Sequence, residues 1–288
     1  LAKLYRFEQS GELMGLQRTR TFCLADAHII CRPDQAKAEI NQVLNLIENM
    51  TRTLDLKPGI NYTYHLSLGN RSDDKKYYKD DTAWDHAEEV LRQVLKERKA
   101  HFVEAPGEAA FYGPKIDIQM KNVNGKEDTA FTVQYDFVMP KRFNLVYTNK
   151  KGEEEQAVVV HRSSIGAIER VIAYLIEHYA GAFPTWLAPV QAVVMPISDK
   201  QLGYAQKVVE ELKSANIRVE LNDKNEPLNA RIRDAEMQKI PYILVVGDKE
   251  IEANTVSVRN RHSQNTQTRP VNDFISTLQQ EIANRVNN

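Results

Sequence analysis

The sequence has 288 residues, 42% of them apolar, and a formal net charge of −1. That length accommodates two domains of ordinary size, and the near-neutral balance lacks the basic surplus of nucleic-acid binders, so any such function must rest on local features. Only Cys23 and Cys31 are present, which argues against a disulfide framework and for a reducing, cytoplasmic setting; no apolar run is long enough to span a membrane and no signal peptide is visible.

The chain opens on strand-like Leu1-Ala2-Lys3-Leu4 without an initiator Met, and is read as part of a larger protein. Residues 6–28, RFEQSGELMGLQRTRTFCLADAH, read as a long antiparallel hairpin around turn material at SGELMG. Period two sorts residues 18–30 into two faces. One carries Thr19, Thr21, Cys23, Ala25, Ala27 and Ile29. The other carries Arg18, Arg20, Phe22, Leu24, Asp26 and His28. Arg6 and Glu8 also share a face. The strand is expected to run out at Ile29-Ile30. Arg20 is expected to make a surface ion pair.

Residues 33–54 follow as an amphipathic helix with Pro33 in its first turn. Residues 60–68 alternate as a strand. GNRSDDKKYYKDD reads as a solvated, charged insertion, and Thr82 with Asp85 as a capping box for the next helix. In GEAAFYGPKIDIQM, Gly107 and Gly113-Pro114 bracket Phe111-Tyr112; the segment reads either as a bulged strand entrance or as a ligand loop presenting Tyr112 and Lys115. Asn124-Gly125 predicts a type I′ turn between strands 115–122 and 127–139. Thr132, Gln134 and Asp136 share the polar face of the second strand.

AVVVH, ending in His161, predicts a strand. A helix is expected to follow, with Ile165, Ile168, Ile172, Leu175 and Ile176 buried, and with Gly166 one turn before Arg170 so that space opens in front of the guanidinium. Pro184 to Pro189 reads as a rigid hinge. Beyond it, strands and helices alternate at 190–195, 199–214, 217–221, 228–238, 241–246, 254–259 and 271–286, the pattern of a mostly parallel sheet covered by helices. The fold class is therefore α/β, with an antiparallel α+β part at residues 1–183 and a smaller α/β domain at 184–288.

Arg-x-Glu, a Ser-Gly-x-Leu-x-Gly-Leu loop, Arg-x-Arg-x-Phe and Asp-Ala-His together resemble motif 2 of class II aminoacyl-tRNA synthetases, in the form of threonyl-tRNA synthetases. SSIGAIER resembles motif 3. FPTWLAPVQ and IPYILVVGDKE resemble the anticodon-binding domain shared by the threonyl, prolyl, histidyl and glycyl enzymes. The resemblance implies ATP-dependent activation of threonine, with Mg2+ accompanying ATP, and ligation to tRNA(Thr). It places Arg6 on the α-phosphate, Arg170 on the γ-phosphate, Arg18 near the triphosphate, Phe22 against adenine and Glu8 at the adenine edge. Asp26, Tyr112 and Gln134 would hold threonine.

The resemblance also implies a zinc ion held by His28, His161 and a Cys upstream of residue 1, reading the threonine hydroxyl and amine by coordination. Cys23 and Cys31 are not expected to replace that Cys. Asn225, Glu250 and Arg259 fall at anticodon-contacting positions. A homodimer is implied, its motif 1 also lying upstream. The sequence departs from the familiar bacterial pattern at Phe7, Leu24, Thr129 and Ala167. Two other readings are a non-catalytic RNA-binding paralogue and a prolyl-type ligase. The intact Arg6, Glu8 and Arg170 speak against the first, and the histidine pair against both.

Overall fold

The computed structural model describes residues 1–263 and 266–287 and divides into two units, Leu1–Tyr174 and Leu175–Asn288. In the first unit the elements run β1 (Ala2–Tyr5), β2 (Thr21–Cys31), α1 (Pro33–Thr53), β3 (Tyr62–Leu68), α2 (Asp81–Glu97), β4 (Phe102–Pro106), β5 (Lys115–Lys121), β6 (Glu127–Asp136), α3 (Met139–Arg142), β7 (Val146–Thr148), β8 (Glu154–Gln156) and β9 (Val158–Ala167), and α4 (Ile168–His178) crosses into the second. Seven strands form one sheet in the order β1-β2-β9-β6-β5-β3-β4. All its pairings are antiparallel except β3 with β4.

Period two gives this sheet two unlike faces. Ile116, Ile118, Phe131, Val133, Tyr135 and Val160 are buried with Ile40, Leu44 and Ile47 of α1 and Leu91 and Leu95 of α2. The residues between them are polar and face the other way. Pro33 starts α1 as expected. Asp80, rather than a Thr82–Asp85 box, caps α2 by accepting from Ala83 N at 3.0 Å. The Asn124-Gly125 turn is not type I′: only Gly125 takes a positive φ, and its N–H closes on Asn122 O at 2.9 Å. The strand that follows ends at Asp136 instead of 139, where Asp136 Oδ1 accepts from Val138 N and Met139 N and turns the chain into α3.

Three further expectations change. β2 runs on through Cys31, whose partner is Val158. Gly166 and Ala167 belong to β9 rather than to a helix, and α4 begins only at Ile168. Gly166 sits at φ +68, where a Cβ would lie 1.9 Å from Ala130 O, so glycine here lets β6 and β9 approach; it does not clear room before Arg170. The buried side chains of α4 are Tyr174 and Leu175, while Ile172 and Ile176 are each 43% exposed. Of the five residues expected to form the buried stripe only Leu175 is buried, and the first of them, Ile165, lies inside the strand.

The second unit runs β10 (Ala192–Pro196), α5 (Leu202–Ser214), β11 (Val219–Leu221), α6 (Leu228–Met237), β12 (Tyr242–Val246), α7 (Asp248–Ala253), β13 (Thr255–Asn260), β14 (Thr266–Pro270) and α8 (Val271–Ala283). The sheet order is β11-β10-β12-β13-β14. β10 pairs in parallel with β11 and β12, and β13 is antiparallel to both its neighbours, so four strands share one direction. Apolar clusters cover both faces: Val194, Leu244, Val208, Leu212, Phe274 and Leu278 on one side, Val193, Met195, Ile243 and Ala235 on the other. The stretch Pro184–Pro189 is not a free hinge. Arg218 donates to the carbonyls of Ala188 and Trp186, and Gln191 to that of Thr185, fastening it to this unit.

Candidate active site

One cross-strand row organises the polar face of the first sheet. Ser67 of β3 pairs with Lys115 of β5, Lys115 with Gln134 of β6, Gln134 with His161 of β9, and His161 with His28 of β2. Five residues remote in sequence thus stand side by side because antiparallel pairing aligns them. A cleft of about 370 Å³ lies over this face. Arg6, Glu8, Arg18, Phe22, Asp26, Tyr112, Gln134, His161 and Arg170 all line it; His28 stands at its border, its ring 4.4 Å from that of His161.

The arginine end is set by the chain between β1 and β2. Arg18 forms an ion pair with Glu8 at 3.0 Å and lies 3.4 Å from Glu12. Arg20 makes no carboxylate pair of the expected kind; its Nε donates to Glu8 O at 3.0 Å and its Nη2 to Ser10 Oγ at 3.4 Å, so it ties the loop to the strand end. The Arg6 guanidinium stands 5.1 Å over the Phe22 ring. Arg170 donates Nε to Gln17 O at 3.1 Å and Nη1 to Thr129 O. Burial pulls its pKa down; Asp128 opposes this, and Arg6 and Arg18 act in the same sense as burial. Three guanidiniums converge on one wall: Arg170 is held by neutral carbonyls, Arg18 by the carboxylates of Glu8 and Glu12, and Arg6 lies over an aromatic ring. A multiply charged anion would be a stronger acceptor than those carbonyls.

At the other end, His161 Nε2 meets Asp136 Oδ2 at 2.8 Å, and Asp136 is fully buried. A carboxylate on one ring nitrogen fixes the tautomer and leaves Nδ1 as the free donor atom, the arrangement common behind metal-bound imidazoles. Tyr112 lies 5.1 Å from the His161 ring and donates its hydroxyl to Gln134 Oε1 at 2.6 Å. Burial, then the negative charges of Asp136, Asp26 and Asp117, push the Tyr112 pKa up, so the phenol keeps its proton. The two imidazoles meet edge to face, and among the described residues no group of three His, Cys, Asp or Glu could hold a metal. Cys23 lies on the other face of β2, its N–H taken by Glu169. Cys31 is buried in the same strand, and burial, with Glu39 and Asp34, raises its thiol pKa.

The segment 69–80 is largely solvated, as its charges imply, but it is anchored at Tyr77. Tyr77 is buried, and both its hydroxyl and Lys76 Nζ donate to Gly107 O; Tyr78 N donates to Phe111 O at 3.3 Å. The segment therefore backs the turn that carries Tyr112. Sequence reading missed this support, the hold of Asp136 on His161, and the cleft-lining Asp117, Ser163 and Glu169. Asp136 had a signal: an Asp three residues before Met-Pro is a helix-start pattern.

The second unit separates its three predicted residues. Asn225 is exposed in the loop after β11. Glu250 Oε2 accepts from Gly247 N at 2.9 Å, closing the start of α7. Arg259 on β13 pairs with Glu236 of α6 at 2.9 Å. Each would have to exchange a local partner, or in Asn225's case none, to meet a base edge.

Residues 1–179 match the family described as tRNA synthetase class II core domain (G, H, P, S and T), and residues 191–281 the family described as anticodon binding domain. The threonine–tRNA ligase of Clostridium perfringens is 47% identical over 284 residues, covering 99% of this chain and 44% of that protein. That of Geobacillus sp. (strain WCH70) is 46% identical over 283 residues, again covering 44% of its length. The chain thus spans less than half of the curated relatives it matches. A solved structure described as the RNA binding domain of threonyl-tRNA synthetase from Cryptosporidium parvum Iowa II superposes with a TM-score of 0.88 at 32% identity, covering 97% of this chain and 69% of that one. A putative threonyl-tRNA synthetase from Aeropyrum pernix gives 0.80 at 27% identity, with 98% and 68% covered. With a core match over more than half its length and motif 2 and motif 3 side chains lining one cleft, the chain belongs to the class II aminoacyl-tRNA synthetases, in their threonyl branch.

Proposed function

We propose that this chain carries the activation and tRNA-reading parts of a threonine–tRNA ligase, with residues 1–183 as catalytic domain and 184–288 as anticodon-binding domain. The observation that carries the reading is the cross-strand row that sets His28 opposite His161 beside Gln134, with Tyr112 and Asp26 in the same cleft as three arginines. ATP, with Mg2+, would lie toward the arginine end. Phe22 offers its ring to adenine and Glu8 an acceptor for the adenine edge; Arg6 would hold the α-phosphate, Arg18 the triphosphate and Arg170 the γ-phosphate. Threonine would lie toward the histidine end, its amino group facing Asp26 and oriented by Tyr112 and Gln134.

Attack of the threonine carboxylate on the α-phosphate forms the acyl–phosphate bond and expels pyrophosphate. The guanidiniums stabilise charge on the phosphoryl oxygens and hold the reactants in line. A terminal ribose hydroxyl of tRNA(Thr) then takes the acyl group and releases AMP. His28 and His161 would hold zinc, with a third donor from outside the described residues; the bound ion supplies coordination of a hydroxyl and an amine, which distinguishes threonine from valine. Asp136 keeps the His161 ring oriented for it. A homodimer is part of the same reading, by resemblance to the family. The two unpaired cysteines support a cytoplasmic setting.

The test is pyrophosphate exchange with threonine, serine and valine, alongside the metal content of the same protein. Exchange with threonine far above valine, and one zinc per chain that His161→Ala removes, are expected. Normal threonine exchange by a metal-free protein would overturn the zinc part. Exchange with proline in place of threonine would overturn the substrate.

A further inference from the structure

The buried carboxylate of Asp117 has no part in the assignments above. It lies on β5 two residues after Lys115, lines the cleft, and is 2% exposed. Its Oδ2 accepts from Lys115 Nζ at 2.6 Å and from Ser67 Oγ at 2.7 Å. Its Oδ1 is shut away from solvent and has no hydrogen-bond partner. Buried carboxylate oxygens almost always find donors, so an orphan here marks a position kept for something other than sheet stability. With Oδ1 idle, the charge acts through Oδ2, on two donors from two neighbouring strands. The ammonium of Lys115 has three N–H groups, and among the described residues only this one acceptor. Two donors are left over at a lysine that lines the cleft and sits in the row between Ser67 and Gln134.

Resting on the reading above, we propose that Asp117, seconded by Ser67, is a positioning residue that presents the Lys115 ammonium to the carboxylate of the amino-acid substrate. The place along the sheet favours that anion over the triphosphate. Arg170 meets β6 at Thr129, whereas Lys115 pairs with Gln134 and its ammonium is held at Asp117, opposite Thr132, beside the side chains assigned to the amino acid. A lysine left free would sample many rotamers; one anchored at Oδ2 offers its remaining donors in one place.

Two measurements on the protein as it occurs, with Asp117→Asn and Ser67→Ala, test this. The first is the rate at which acetic anhydride labels Lys115, read by peptide mass spectrometry and needing no activity. Asp117→Asn should raise it at least fivefold and Ser67→Ala about twofold, with thermal unfolding recorded on the same samples. The second is pyrophosphate exchange, where Asp117→Asn should raise KM for threonine at least fivefold and leave KM for ATP within twofold. Unchanged labelling in both variants would overturn the positioning role. Parallel rises in both KM values, or loss of folding in Asp117→Asn with unaltered labelling in Ser67→Ala, would make Asp117 merely structural. If the unsubstituted protein does not exchange with threonine, the functional reading fails instead, and the labelling rates still decide whether Asp117 holds Lys115.

Discussion

The two sheets of this chain use their faces differently. The sheet of the first unit packs one face on α1 and α2 and leaves the other to a polar cleft, so every second residue of β2, β5, β6 and β9 is available for chemistry. The sheet of the second unit is covered on both faces. Its inner strands β10 and β12 read as near-continuous apolar runs, and any ligand must be met by loops, strand ends or a short helix, where Asn225, Glu250 and Arg259 lie. One-sided burial therefore marks the region able to build a catalytic surface, and two-sided burial a scaffold that offers its rim.

The largest expected effect tests the close approach that builds the first sheet. Gly166→Ala places a Cβ against Ala130 O at a positive φ and should remove roughly 3 kcal/mol or more of stability, read as a lower unfolding midpoint. A change below about 0.5 kcal/mol would mean that β6 and β9 are looser than their pairing implies. Next, Arg170→Ala should leave folding intact and reduce exchange by at least about hundredfold, near 3 kcal/mol of transition-state stabilisation. Survival within tenfold would make Arg170 a carbonyl tie and nothing more. In the second unit, Arg259→Ala should raise KM for tRNA about tenfold, near 1.4 kcal/mol, and leave threonine exchange unchanged. Equal loss in both assays would erase the division of labour between the two sheets. Smallest is Gly203→Ala in α5, where a Cβ meets nothing within 4 Å; it should stabilise the second unit by about 0.5 kcal/mol. Its contrast with Gly166 separates a glycine required by neighbours from one that is not.

Much of this was legible in the sequence because the signals were periodic or ordered. Helix α1 and the alternation of β6 lie where they were expected, and Arg6, Glu8, Arg18, Phe22, His161 and Arg170 line one cleft. Other features have no local signal. β14 is a polar edge strand, Thr-Gln-Thr-Arg-Pro, defined by its bonds to β13 and not by any apolar alternation. Within the charged segment 69–80, Arg71 pairs with Glu88 and Asp85, and Asp80 with Lys141, across turns of chain that a window cannot see. Gly166 was misplaced because an apolar stripe has the same composition at a strand end as at a helix start, and only the backbone of Ala130 decides between them. Asp117 stayed hidden because Lys-x-Asp on an apolar strand reads as a local pair; its orphan oxygen and its bond to Ser67 exist only in three dimensions.

The row from Ser67 through Lys115, Gln134 and His161 to His28 also bears on how the protein acquires its function in time. Its members are drawn from five strands, with more than a hundred residues between the partners His28 and His161. No local stretch can assemble even half of it. Closing such long loops is slow and yields contacts only near the end of folding. A nascent or partly unfolded chain is therefore inert: its helices can form early, but nothing in it can select an amino acid before the last strand has docked. Activity and complete folding should appear together in a refolding experiment, which makes the site a late checkpoint on the integrity of the whole sheet.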